Sequence, residues 1–129
     1  MLKAISRRSV AGAFVAMVLA GGAYAHHGWS WAEADQIEIN GTIREISMAP
    51  PHPTLEVETS GDGMWHVELG NPRQTERSGF VEASAKAGDA IIVLGNRSLD
   101  PNEKRMKAVR ITVAGKVYDI YPERIRAGG

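Results

Sequence analysis

Four histidines carry the coordination chemistry available to this chain: His26, His27, His52 and His66. There is no cysteine, so thiolate metal sites, thiol nucleophiles and disulfides are all excluded. His26 and His27 follow Ala23-Tyr24-Ala25, the small-x-small pattern that a signal peptidase cuts behind. Cleavage there makes His26 the first residue of the mature chain. An N-terminal histidine offers two nitrogens, α-amine and imidazole, that close on one metal ion. The amine's reference pKa of ~7.7–8.0 lets a transition metal displace its proton near neutral pH. A third imidazole would complete a flattened nitrogen set, which suits Cu(II) best among common divalent ions.

The segment before the junction fits export. Lys3, Arg7 and Arg8 form a basic head, and Val10 to Ala20 an apolar middle. That run is shorter than the ~20 apolar residues a bilayer span needs, so no permanent membrane anchor is expected. Ser6-Arg7-Arg8-Ser9-Val10 resembles the twin-arginine export motif, with Val10 where that motif prefers a bulky aromatic. Export by the general secretory (Sec) route or the twin-arginine route therefore both stand, and the expected location is periplasmic or secreted. Residues 1–25 are read as the cleaved signal peptide and residues 26–129 as one domain. Losing Lys3, Arg7 and Arg8 leaves 12 Lys+Arg against 15 Asp+Glu. A mildly acidic chain has no electrostatic reason to bind nucleic acid.

The remaining histidines depend on the elements that carry them. Residues 36–46 alternate apolar and polar, as a half-buried strand does, with Gly41 at an expected bend. Met48 to Pro53 holds three prolines around His52 and reads as a loop. Thr54–Thr59 and Met64–Leu69 alternate too, and Gly61-Asp62-Gly63 joins them as a hairpin. With Ser60 opposite Met64, Glu58 faces His66, and Leu55, Val57, Trp65, Val67 and Leu69 share the core face. His66 then stands outside among Glu56, Glu58 and Glu68, a solvated carboxylate face. In that register His52 lies ~20 Å from His66 at ~3.3 Å per residue, too far for one ion. His52, in a proline-stiffened loop, is the better third ligand.

Asn71-Pro72 opens a short helix that ends near Gly79. Lys86–Asp89 turns the chain into the apolar strand Ala90–Gly95. Leu99–Glu103 is a hairpin loop, and Met106–Val113 returns as a strand whose alternation breaks at Val109-Arg110. Lys116–Tyr121 adds a short last strand. Three meandering strands, a helix and two strands are the order of the oligonucleotide/oligosaccharide-binding (OB) fold. The expectation is therefore an all-β domain with one short helix, a five-stranded, partly open barrel.

No serine has the Gly-x-Ser-x-Gly setting of a hydrolase nucleophile, and no glycine-rich phosphate loop is present. The chain resembles an uncharacterised family of small exported bacterial proteins, known as a domain of unknown function. The matching residues are Ala25-His26-His27, Gly41-Thr42-Ile43, Pro51-His52, Trp65-x-Val67-Glu68, Pro72 and Ala87-Gly88-Asp89. Pro50 stands where that family has Asn in an Asn-Pro-His motif. The resemblance implies that His26, His27 and His52 form a set, without implying what the set does. The expected function is periplasmic metal binding or delivery, with copper as cofactor, ligands His26, His27 and His52, and a periplasmic protein as a further partner. Two other readings stand beside it: a metal-free module binding a small molecule or protein, and a copper-dependent oxidase or monooxygenase.

Overall fold

The computed structural model describes residues 28–126, so His26 and His27 lie outside the described residues. The chain divides between Trp31 and Ala32, and the second unit carries every strand of the sheet. These are β1 (Ile37–Ser47), β2 (Thr54–Thr59), β3 (Gly63–Glu68), β4 (Ala90–Arg97), β5 (Arg105–Val113) and β6 (Lys116–Asp119). One α-helix, α1 (Pro72–Arg77), joins β3 to the second half. The Asn71 carboxamide accepts from the Gln74 amide at 2.8 Å and Pro72 takes the first helical position, as the sequence predicts.

Five strands close a barrel. β1 pairs antiparallel with β2 and β4, β2 with β3, and β4 with β5. A parallel seam of three residue pairs between β3 and β5 completes the ring, so the barrel expected to be partly open is closed. β6 extends β5 beyond the ring. Among the described residues this is the OB arrangement, all-β with one α-helix. Ile43, Leu55, Val57, Trp65, Val67, Ile91, Val93, Met106 and Ile111 fill its interior. Phe80, from the helix side, meets Tyr118 edge to face at 5.3 Å.

Three local readings need correction. The bend in β1 is a bulge at Arg44, between Ile43 and Glu45, and not at Gly41. Gly41 serves a different need, because a Cβ there would sit 2.4 Å from the Glu58 carbonyl oxygen. The β2–β3 hairpin pairs Thr59 with Gly63, so Glu56 and not Glu58 faces His66. Thr59 Oγ1 donates to the Gly63 carbonyl at 2.8 Å, and Asp62 accepts from the Trp65 indole at 3.0 Å. These bonds hold a turn of Ser60-Gly61-Asp62, one residue earlier than expected. A slip of two partners keeps each side chain on its face, so the core assignment survives. In β5 the break at Val109-Arg110 is real: Leu94 pairs with Arg110 and Gly95 with Ala108, leaving Val109 as a bulge.

Candidate functional site

His52 leads into β2 through Pro53, whose carbonyl accepts from the Leu69 amide at 2.9 Å. Pairing partners share a face, so one outward row crosses the seam: Thr54, Glu68, Lys107 and Asn96 on β2, β3, β5 and β4. His52 lies two residues before Thr54, at the end of that row. Outward residues of a small barrel are ordinarily wet, yet Glu68, Lys107 and Asn96 are 9%, 2% and 6% exposed. The chain after β6 covers them. The Ile120 and Tyr121 amides both donate to the Val109 carbonyl, at 2.9 and 3.0 Å. The Lys107 ammonium then lies 6.0 Å from the centre of the Tyr121 ring.

Charge in this row is balanced by position. Arg105 Nε donates to Glu68 Oε2 at 2.9 Å, and a second nitrogen of the same guanidinium reaches that oxygen too. Burial lowers the Lys107 pKa; Glu68 opposes the shift, and Arg105 and Arg124 add to it. Burial raises the Tyr121 hydroxyl. His52 is pushed below its ordinary 6.5, first by burial and then by the Lys107 charge, with Glu68 acting against both. Its ring is therefore held neutral near pH 7. Its Nδ1 is buried and makes no hydrogen bond, an uncommon state for a buried polar atom.

His66 differs in each respect. Its ring is 40% exposed, and its Nδ1 pairs with Glu56 Oε1 at 2.7 Å. In the observed register Glu56 lies four residues after His52, so the two histidines are ~13 Å apart along the strand at ~3.3 Å per residue. That is shorter than the expected figure and still too long for a shared ion. Among the described residues no group of three or more His, Asp or Glu side chains is arranged to hold a metal. Only His52 of the expected ligand set falls within them.

Sequence reasoning missed Glu68, Lys107, Asn96 and Tyr121. It assigned Glu68 to a solvated ladder, whereas Arg105 and the covering chain take it out of water. The signal available was the run Ile120-Tyr121-Pro122 followed by Ile125, too apolar for a free tail after the last strand.

Residues 14–107 match the family described as "Family of unknown function (DUF6152)". The chain belongs to this family. The DUF6152 match takes in His26, His27, His52, Glu68 and Lys107, and its description assigns no activity. No curated protein matches the chain. Among solved structures, the ZRD-deleted mutant of TiaS in complex with agmatine is similar at 16% identity and a TM-score of 0.52, over 70% of this chain and 27% of that one. A chain of the S. pombe Stn1–Ten1 complex is 18% identical, with a TM-score of 0.49, over 60% of this chain and 57% of that one. This DUF6152 member thus spans about a quarter of the TiaS chain and little more than half of the yeast one. The TiaS likeness is one of fold. No helix among the described residues is long and apolar enough to cross a membrane.

Proposed function

We propose that this protein is an exported, periplasmic metal-binding protein that takes one copper ion for binding or delivery. The α-amine and imidazole of His26 chelate the ion once the signal peptide is removed, with His27 beside them and His52 as the further imidazole. The observation that carries this reading is the state of His52: a neutral ring with one nitrogen buried and unbonded. A metal needs a deprotonated imidazole lone pair, and either ring nitrogen can supply it. Lys107 repels a cation there more strongly than Glu68 attracts it, so local charge gives a cation no advantage. Affinity must then come from the nitrogen donors, and that favours copper over magnesium or calcium. The outward faces of β1 and β2 carry Glu45, Glu56 and Glu58, a poor surface for a polyanion.

The test is competitive titration of the mature chain with Cu(II) and Zn(II). One Cu(II) is expected, bound more tightly than Zn(II). His52→Ala should weaken it by at least the ~10-fold that even outer partners of a ligand are worth. His66→Ala should leave it unchanged. Equal effects from both substitutions would remove His52 from the site.

A further inference from the structure

Two charged groups of the outward row lie within electrostatic reach of His52. Thr54 pairs with Glu68 across β2–β3, and Glu68 with Lys107 across β3–β5. Two strand spacings separate Thr54 from Lys107, and His52 lies two residues before Thr54, which puts the His52 and Lys107 backbones ~12 Å apart. The loop end is pinned there, because the Pro53 carbonyl accepts from the Leu69 amide at 2.9 Å.

The space between these groups is protein more than water. Lys107 is 2% exposed, with its ammonium 6.0 Å from the centre of the Tyr121 ring, and His52 Nδ1 is buried. Salt screens a charge so placed far less than one at the surface. The Lys107 charge opposes a proton on His52 and Glu68 favours it, with the lysine the stronger of the two. Part of the Glu68 charge is already offset by Arg105, whose Nε donates to it at 2.9 Å. A cation on the His52 ring therefore meets a net positive field from the barrel wall.

We propose that Lys107 sets the oxidation-state preference of the copper site, biasing it toward Cu(I) by repelling the doubly charged ion more. This rests on the copper reading of His52. A divalent ion in a given field has twice the Coulomb energy of a monovalent one. Lys107 is not a ligand, since its ammonium has no lone pair to give; it acts through space, and Glu68 acts in the opposite sense.

The test compares the mature parent with Lys107→Met and Lys107→Arg. Each is titrated with Cu(II), and anaerobically with Cu(I), against competing chelators. At an effective dielectric of ~30 across ~12 Å, losing the charge should tighten Cu(I) about fivefold and Cu(II) about 25-fold. Lys107→Arg keeps the charge and should stay within about twofold of the parent for both ions. A structural effect would move both ions by one common factor, whereas the charge moves Cu(II) by the square of the Cu(I) factor. Glu68→Gln, measured below its melting transition, should weaken both ions and Cu(II) the more. Lys107→Gln replaces the methionine variant if that one does not fold. No copper uptake by the parent would overturn both readings. Uptake with one common factor for the two ions in Lys107→Met, or the same change in Lys107→Arg, would overturn this one alone.

Discussion

At the scale of single residues, the buried row is where charge and burial are most tightly set against each other. Glu68 faces both Arg105 and Lys107; Glu68 and Lys107 are buried, whereas the Arg105 side chain is 31% exposed. Removing the Glu68 charge takes away the carboxylate that opposes the cost of burying the Lys107 ammonium. Glu68→Gln should therefore destabilise by about 3–5 kcal/mol in urea unfolding, far more than an exposed carboxylate would. A loss below about 1 kcal/mol would mean that the row is solvated. His52 sets a pH dependence. Its folded pKa lies below the unfolded 6.5, so the unfolded chain binds the additional proton as pH falls through that window. Stability of the metal-free protein should be full above about 6.5 and decline below it, and His52→Gln should shrink the difference between pH ~7.5 and ~5.5. None of the buried row was legible in the sequence. Glu68 and Lys107 alternate outward in their strands, and nothing local says which outward residues a distant segment will cover. His52 was legible as a held loop residue because prolines on both sides restrict it.

At the scale of elements, periodicity carried most of the fold. Alternation, the Asn71-Pro72 helix start and the β5 irregularity each matched an observed feature, because strand period and capping are local physics. Registers were less legible. The hairpin's pairing depends on the Thr59 hydroxyl and the Asp62–Trp65 bond, contacts that glycine positions alone do not reveal. Barrel closure was missed for a related reason: a three-pair parallel seam leaves almost no mark on sequence. The β5–β6 turn holds an improvable residue. Ala114 sits at φ 50 between Val113 and Gly115, in the left-handed region that costs an ordinary residue roughly 1–2 kcal/mol. Asn tolerates that region, and the two-residue turn favours Asn-Gly. Ala114→Asn should raise stability by about 1 kcal/mol, seen as a higher urea midpoint at unchanged slope. A lower midpoint would mean the turn is not of this type in solution.

At the scale of the whole molecule, the proposed site would join His52 of the barrel to an N-terminus created by processing. The barrel is a common OB frame, and function resides in what is grafted on it. Membership of DUF6152 covers both parts of the set, because the match begins at residue 14 and ends in β5. The central claim is that the free amine of His26 is a copper ligand, and one added residue tests it most directly. Mature protein beginning at His26 is compared with the same chain carrying a single alanine ahead of it, each titrated with Cu(II) against a competing chelator. The added residue keeps every imidazole and converts only the amine into an amide, which is no longer a ready donor near neutral pH. The expected result is a Cu(II) affinity at least ~10-fold lower for the extended chain, with loss of one nitrogen from the copper spectrum. Equal affinity and identical spectra in the two chains would contradict the claim.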